Sequence, residues 1–227
     1  MMECLWCGRA IMLDITWTNL FMPEKPRPLC SICEGELDRL DGKRCRNCSR
    51  RSEAEICSNC SWWIEHPLRN SIALNYSIFT YNPFIQEIIA KWKYRGDYVL
   101  GNVFQSYIIE EFRKNLSFLK KDAIIIPIPL SEERLQERGF NQAKQLAGFL
   151  PMEMSECLTR VHGEKQSKKT RMERIESENP FFIKETLQKP VILVDDIYTT
   201  GTTLRHAASL LKDNGCPKVY AFTLIRG

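Results

Sequence analysis

Four Cys-x-x-Cys pairs near the N-terminus constrain the fold of this chain more than any other feature. They are Cys4/Cys7, Cys30/Cys33, Cys45/Cys48 and Cys57/Cys60. A two-residue gap lets both thiolates of one turn reach the same metal ion, and two such turns complete a tetrahedral S4 site. The eight thiolates therefore predict two closed sites that hold structural zinc. Because about 60 residues bury little apolar core, metal binding would supply much of the folding free energy of this segment.

The order of the pairs allows more than one grouping around two ions. The simplest is sequential, with Cys4, Cys7, Cys30 and Cys33 on one ion and Cys45, Cys48, Cys57 and Cys60 on the other. An interleaved grouping is the alternative. Unmetallated or redox-active thiols are a further interpretation, but four such pairs so close together favour metal.

Composition and hydropathy exclude several classes of protein. The chain has 227 residues, of which 44% are hydrophobic and 26% charged, as in ordinary globular proteins. No apolar run approaches the roughly 18 residues of a membrane-spanning helix, and the N-terminus lacks the pattern of a signal peptide. We therefore expect a cytoplasmic protein without membrane insertion, and reduced cysteines rather than a disulfide framework. The net charge of +4 permits an anionic ligand without requiring nucleic acid.

A change of pattern near residue 66 predicts two domains. Residues 1–66 contain nine basic and ten acidic residues, so the basic excess of the chain lies in residues 67–227. In that second part, strand and helix patterns alternate, which predicts a mostly parallel sheet flanked by helices. Strands are expected at 71–81 (one or a pair), 123–128, 191–194 and 219–224. Helices are expected from Pro83, with Ile85, Ile88, Ile89 and Trp92 inward, at 99–116, from Ser131 with a break at Gly139, and at 203–214.

The segment 191–203 carries the clearest chemical signal. Four branched apolar residues predict a buried strand, and Asp195 and Asp196 follow at its carboxyl end, where α/β sheets bind ligands. A hydroxyl-rich turn then leads into a helix, whose N-terminus favours phosphate. Carboxylates would repel phosphate but accept hydrogen bonds from sugar hydroxyls. The pattern therefore predicts a ribose 5-phosphate site; an ordinary capped turn with solvated aspartates is the alternative.

These residues, V-I-L-V-D-D-I-Y-T-T-G-T-T, resemble the 5-phosphoribosyl-1-pyrophosphate (PRPP) motif of type I phosphoribosyltransferases. Nearly the whole chain resembles the ComF competence protein group, close to ComFC, which places a zinc module before such a domain. Further matching segments are K-Y-R-G-D (93–97), I-P-I-P-L (126–130), E-R-G-F-N-Q (137–142) and K-Q-S-K (165–168) followed by Arg171. The resemblance implies an α/β fold in which a double zinc ribbon precedes a type I phosphoribosyltransferase domain.

The resemblance also implies roles for individual residues. Asp195 and Asp196 would bind the ribose hydroxyls, directly or through Mg²⁺, and the turn would hold the 5-phosphate. Because Pro127 and Pro129 lack an N–H, the pyrophosphate would depend on side chains and Mg²⁺. The implied catalytic residues are Asp195, Asp196 and Arg138; the implied PRPP ligands are Asp195, Asp196, Thr199, Thr200, Gly201, Thr202, Thr203, Lys93 and Arg134. The basic segment 165–174 corresponds to the loop that closes over substrates, although Ser177 replaces an asparagine frequent in the family.

Two functions follow as expectations. The first is Mg²⁺-dependent phosphoribosyl transfer from PRPP by a protein that acts in natural competence, the uptake of transforming single-stranded DNA. The alternative is a non-catalytic module that binds single-stranded DNA and partners a ComFA-type helicase while keeping the fold. Aromatic and basic residues that would serve a strand are Trp62, Trp63, Trp92, Lys93, Tyr94 and Arg95, with Trp92 expected instead in the core.

Overall fold

The computed structural model describes residues 2–12, 27–68, 71–94, 96–161 and 178–227. The strands are β1 (Met2–Glu3), β2 (Ala10–Ile11), β3 (Asn75–Thr80), β4 (Ile124–Pro127), β5 (Leu158–Arg160), β6 (Phe181–Ile183), β7 (Val191–Tyr198) and β8 (Val219–Arg226). The α-helices are α1 (Ser31–Gly35), α2 (Ser58–Ile64), α3 (Pro83–Tyr94), α4 (Gln105–Asn115), α5 (Glu132–Arg138), α6 (Gln142–Gly148) and α7 (Thr202–Asp213). Two 3₁₀ helices span Tyr98–Phe104 and Ser117–Leu119.

A parallel sheet of four strands, in the order β3-β8-β7-β4, forms the centre of the fold. This confirms the predicted α/β class. The strand expected at 191–194 was drawn too short, since β7 continues to Tyr198 and Asp195 pairs with Thr223 of β8. Backbone hydrogen bonds to the neighbouring strands hold the two aspartates in regular β structure. Their polarity requires only that the side chains reach solvent or a hydrogen-bond partner.

The helices cover the sheet as their apolar periodicity predicts. In α3, Ile85, Ile88, Ile89 and Trp92 are all buried. The single helix expected at 99–116 is instead a 3₁₀ helix followed by α4. Gly101 lies in the 3₁₀ helix, where Gln145 packs so tightly against it that a Cβ would overlap the glutamine side chain. The Nε2 of Gln145 also donates to the Tyr98 carbonyl, at 2.9 Å.

The predicted break between α5 and α6 is confirmed. Gly139 ends α5 in the left-handed region, with φ of +78°. Asn141 then caps α6, because its Oδ1 accepts from the Ala143 N–H at 2.9 Å. Its Nδ2 donates to the Ile128 carbonyl at 3.0 Å, which ties α6 to the turn that follows β4.

The cysteine-rich segment covers the outer edge of β3. The Leu40 N–H donates to the Ile78 carbonyl and the Thr80 N–H donates to the Asp38 carbonyl, both at 2.8 Å. An edge strand is thereby paired rather than left open. The domain division at residue 66 stays a prediction, and the two predicted domains are in extensive contact.

Two further expectations concern membranes and the basic loop. In the part of the chain that the structure describes, no helix combines the length and apolarity needed to cross a bilayer.

The antiparallel pair β5–β6 lies on either side of the expected loop, with Arg160 opposite Phe181. Residues 162–177, including the predicted closing segment 165–174, lie outside the described residues.

Candidate functional site

A cavity of about 490 Å³ opens at the carboxyl ends of the sheet strands. Parallel strands place their following loops at this edge, which is where α/β sheets bind ligands. Side chains from α3, α5, α6, β5 and β7 reach it. The polar and charged residues that line it are Tyr81, Lys93, Tyr94, Arg134, Glu137, Arg138, Asn141, Gln142, Arg160, Asp195, Asp196, Thr199 and Thr203.

The two aspartates of β7 form the acidic part of the cavity. Asp195 and Asp196 are both partly buried, and the Asp195 carboxylate accepts from the Asp196 N–H at 2.9 Å. Burial raises the pKa of Asp195 to about 6, while the charges of Lys93, Arg160 and Arg138 oppose that increase. Lys93 forms an ion pair with Asp196, and only 12% of the Lys93 side chain is exposed.

Four cations face these two carboxylates. They are Lys93, Arg134, Arg138 and Arg160. Burial, followed by the charge of Arg138, lowers the pKa of Lys93 to about 7. Burial and neighbouring guanidinium groups also lower the pKa values of Arg138 and Arg160. The cations therefore repel one another, and an anion in the cavity would relieve that repulsion.

Arg160 is a cavity residue that the sequence analysis missed. It ends β5, and its guanidinium group lies 5.4 Å from the ring centroid of Phe181 in β6. The two strands are separated by a long stretch of sequence, so no local pattern places Arg160 beside the cavity. The available signal was weak, an arginine five residues before the basic segment 165–174.

The turn after β7 forms a second, smaller cavity of about 40 Å³. Gly201 precedes α7 with φ of +84°, and its missing Cβ leaves room for the Tyr198 hydroxyl. The hydroxyls of Thr200 and Thr202 are 3.0 Å apart. The first turn of a helix leaves N–H groups without intrahelical partners, so this turn can hold a phosphate. Its lining includes Asp195, Thr199, Thr200, Gly201, Thr202 and Thr203.

The turn after β4 offers few backbone donors. Pro127 and Pro129 have no N–H, and the N–H of Ile128 between them donates to the Val194 carbonyl at 2.9 Å. An anion on this side of the cavity would therefore be bound by side chains. The predicted site residues of the second domain thus come together around these two adjoining cavities, and their roles as ligands stay predictions.

The eight paired cysteines form two clusters in the sequential grouping. One contains Cys4, Cys7, Cys30 and Cys33, and the other contains Cys45, Cys48, Cys57 and Cys60. The sulfur atoms of Cys7 and Cys30 are 3.8 Å apart, and those of Cys48 and Cys57 are 3.7 Å apart. A tetrahedral site with metal–sulfur bonds of about 2.3 Å has edges of about 3.8 Å. Each cluster therefore fits one tetrahedrally coordinated metal ion of its own.

The aromatic residues considered for a nucleic-acid strand are not equally accessible. Trp63 is 3% exposed and Trp92 is fully buried, with its Nε1 donating to Gln145 at 3.0 Å. The expectation for Trp63 was wrong, because its ring packs inside the fold; the core position of Trp92 is confirmed. Trp62 is 38% exposed and Tyr94 is 65% exposed. Arg95 lies outside the described residues.

Comparison with known proteins is consistent with this site. A model of the phosphoribosyl transferase domain matches residues 135–227. Competence protein ComFC of Bacillus subtilis is 39% identical, over 98% of this chain and 94% of that protein. Competence protein ComFC of Streptococcus pneumoniae is 34% identical, over 99% of this chain and 100% of that protein. Competence protein F of Haemophilus influenzae is 26% identical, over 87% of this chain and 90% of that protein.

Proposed function

The chain belongs to the ComFC family of competence proteins, and from that premise we propose that it binds PRPP in the cavity beside β7 and acts in DNA uptake during natural competence. One observation carries the ligand assignment. Two adjoining cavities, which share Asp195, Thr199 and Thr203, combine two carboxylates, four cations and a threonine-rich turn at a helix N-terminus. Sugar hydroxyls, a phosphate monoester and a pyrophosphate are the groups that suit these three surfaces.

Each surface then has a role in the proposed complex. Asp195 and Asp196 accept hydrogen bonds from the ribose hydroxyls, and the turn from Thr199 to Thr203 binds the 5-phosphate through its N–H and hydroxyl groups. Lys93 and Arg134 bind the pyrophosphate. Mg²⁺, bound together with PRPP, neutralises part of the pyrophosphate charge. The carboxylates and the oxygen-rich ligand are the donor types that this ion prefers.

Phosphoribosyl transfer would use the same contacts. As the bond from ribose C1 to the pyrophosphate oxygen breaks and a bond from C1 to the nucleophilic atom of the acceptor forms, pyrophosphate leaves with the bonding electron pair and negative charge grows on its oxygen. Arg138 is held beside that region because its Nη1 donates to Gln142 Oε1 at 2.9 Å. A preorganised cation there stabilises the leaving group more than the ground state, which is the electrostatic contribution expected of this residue.

We also assign structural zinc to both cysteine clusters. The four sulfurs of each cluster lie within 4.8 Å of one another, which leaves no position for a substrate. These sites then stabilise residues 1–66, which we continue to treat as a separate zinc module. The metal ions themselves would take no chemical part in group transfer.

Transformation of Bacillus subtilis tests the proposed function. A strain that lacks its own ComFC would receive this chain, the Asp195→Asn/Asp196→Asn double variant, or Asp122→Asn/Asp213→Asn, which removes two exposed carboxylates outside the cavity. We expect the parent and the exposed-site control to restore transformation and the cavity variant to fail, at equal protein levels. Full restoration by the cavity variant would contradict a role for the ribose-phosphate site.

The second candidate is a non-catalytic module that binds single-stranded DNA and partners a ComFA-type helicase. The observation in its favour is Tyr94, which is exposed at the rim of the cavity with Arg138 at 5.5 Å from its ring centroid. An exposed ring beside a cationic cavity suits base stacking next to a bound backbone. For this function, affinity for an oligo-dT strand falls steeply between about 50 and 200 mM salt. Salt-independent binding, or the same affinity in Tyr94→Ala, would exclude it.

A further inference from the structure

Three consecutive carbonyl groups, at the end of β7 and the start of the turn from Thr199 to Thr203 (the phosphate turn), accept hydrogen bonds from side chains that line neither cavity. The Nη1 of Arg226 donates to the carbonyls of Tyr198 and Thr199, at 2.9 Å each. The Nε1 of Trp63 donates to the Thr200 carbonyl at 3.1 Å. These three carbonyls are thereby bound to donors within the protein, which leaves the N–H and hydroxyl groups of the turn available to a phosphate.

Both donors belong to the surroundings of the second cysteine cluster. Trp63 lies on α2, which begins after Cys57 and contains Cys60. The Nη2 of Arg226 lies 3.8 Å from the Sγ of Cys48, within hydrogen-bond range for sulfur. Trp63 is 3% exposed and Arg226 is 4% exposed. The cluster and the turn are therefore joined through two buried side chains.

The charge of Arg226 strengthens this connection. A buried guanidinium group requires a counter-charge. Arg226 donates to the backbone oxygens of Tyr198, Thr199 and Gly227, lies 4.9 Å from the Tyr198 ring centroid and contacts Cys48, whose side chain becomes an anionic thiolate when it binds metal. A divalent metal with four thiolates is negatively charged overall, so the loaded cluster can supply that counter-charge.

We propose that Arg226 and Trp63 are positioning residues through which the Cys45/Cys48/Cys57/Cys60 cluster sets the backbone of the phosphate turn. A ligand bound at the turn therefore depends on the metal of this cluster, although no cysteine lines the cavity. The ligand part of this inference rests on the proposed function. The ordering of the turn does not.

The first cysteine cluster provides an internal control. Cys4, Cys30 and Cys33 pack in the same buried group as Phe79, Phe104 and Trp92, away from the turn. Trp6 lies between Cys4 and Cys7, and its ring packs edge-on against Phe84, with centroids 5.5 Å apart. A substitution at Trp6 thus perturbs a tryptophan beside the other cluster, without touching the proposed connection.

Hydrogen–deuterium exchange of the Thr202 and Arg205 amides, which donate to Thr200 Oγ1 at 3.4 Å and to the Gly201 carbonyl at 2.9 Å, tests the positioning role without any ligand. Trp63→Phe keeps a ring in place and removes the Nε1 donor, so we expect exchange there to accelerate about tenfold, the value of one hydrogen bond. Trp6→Phe leaves it unchanged. Unaltered exchange in Trp63→Phe, or an equal increase in both variants, would overturn the proposal.

Calorimetry with ribose 5-phosphate and with pyrophosphate then separates positioning from general damage. In Trp63→Phe and Arg226→Lys, ribose 5-phosphate binding weakens about tenfold, while pyrophosphate binding stays within about twofold, because side chains on the opposite wall bind pyrophosphate. Equal losses for both ligands would contradict the proposal. If the parent binds neither ligand, the proposed function fails, and the exchange comparison still decides the positioning role.

Removal of one metal at a time completes the test. Cys48→Ser and Cys33→Ser each alter one cluster, and metal analysis shows which ion is lost. Faster exchange at the Thr202 and Arg205 amides is expected only in Cys48→Ser. The same result in Cys33→Ser, or in neither variant, would overturn the link to the second cluster. Where Cys48→Ser does not fold, Trp63→Phe decides, since it keeps every cysteine.

Discussion

Lys93, near the end of α3, forms an ion pair with Asp196 near the end of β7. The pair holds a mostly buried ammonium group above the cavity and leaves the neighbouring Asp195 directed at the same space. Lys93 is thus placed between an acidic wall suited to sugar hydroxyls and a basic wall suited to pyrophosphate. The protonation state of Lys93 therefore affects both the acidic wall and the basic wall.

Pyrophosphate affinity should fall as pH rises above about 7. Burial and the facing cations Arg138 and Arg134 lower the pKa of Lys93 to about 7, although the negative charge of Asp195 acts in the opposite direction. The free protein therefore loses this cation above pH 7, and binding of an anion must recover the proton. We expect about a tenfold loss between pH 6.5 and 8.5, measured by calorimetry.

The Lys93→Arg variant is the control for this pH dependence. Arginine stays charged throughout the range, and titration of the ligand itself is common to both proteins. The parent should therefore lose more affinity than the variant. Parallel pH profiles would show that Lys93 does not titrate in the way its surroundings imply.

Arg160→Ala should weaken pyrophosphate binding by about ten- to a hundredfold, the loss expected for a hydrogen bond to a charged group. Arg160 faces the cavity and lies close enough to Asp195 to oppose the increase of its pKa. Arg113→Ala removes the same charge from an exposed position on α4. Equal pyrophosphate affinities of the two variants would show that Arg160 does not bind pyrophosphate.

Gly201→Ala should abolish most ribose 5-phosphate binding. Its φ of +84° disfavours a side chain, and a Cβ there would overlap the Tyr198 hydroxyl. We expect at least about a tenfold loss of affinity. The matched change Gly148→Ala meets no atom within 4 Å and lacks a positive φ, so it should bind normally. A Gly201→Ala protein with parental affinity would show that the turn does not bind the phosphate.

The purified protein should contain about two zinc ions per chain, one in each S4 cluster. A strong chelator should unfold it, because the metal supplies folding free energy to a segment with little core of its own. Elemental analysis and thermal unfolding check both statements. Cys157→Ala, at a buried cysteine outside the clusters, should keep both ions. Iron in place of zinc, or stability unaffected by chelator, would contradict this assignment.

Local patterns in the sequence predict much of this fold. The structure confirms three such patterns, each of which spans only a few residues: the apolar spacing of α3, the glycine break before α6 and the Cys-x-x-Cys pairs. The extension of β7 through Asp195 and Asp196 was not predictable in this way. Pairing with β8 decides it, and β8 lies further along the chain.

The missed parts of the site are also long-range. Arg160 reaches the cavity because β5 pairs with β6. Trp63 donates to the carbonyl of Thr200, which lies 137 positions further along the chain. Trp63 was expected to serve a nucleic-acid strand, together with other aromatic and basic residues, and it is instead buried. Its burial follows from tertiary packing against Arg205, whose guanidinium group lies 4.5 Å from the Trp63 ring centroid.

Calorimetric titration of PRPP with Mg²⁺ tests the central claim most directly, with the Asp195→Asn/Asp196→Asn double variant measured beside the parent. We predict saturable binding of about one PRPP per chain in the parent and at least a hundredfold loss in the variant, since both acceptors of the ribose hydroxyls are weakened. Absence of binding in the parent, or equal affinity in the variant, would contradict a ribose-phosphate site at the end of β7.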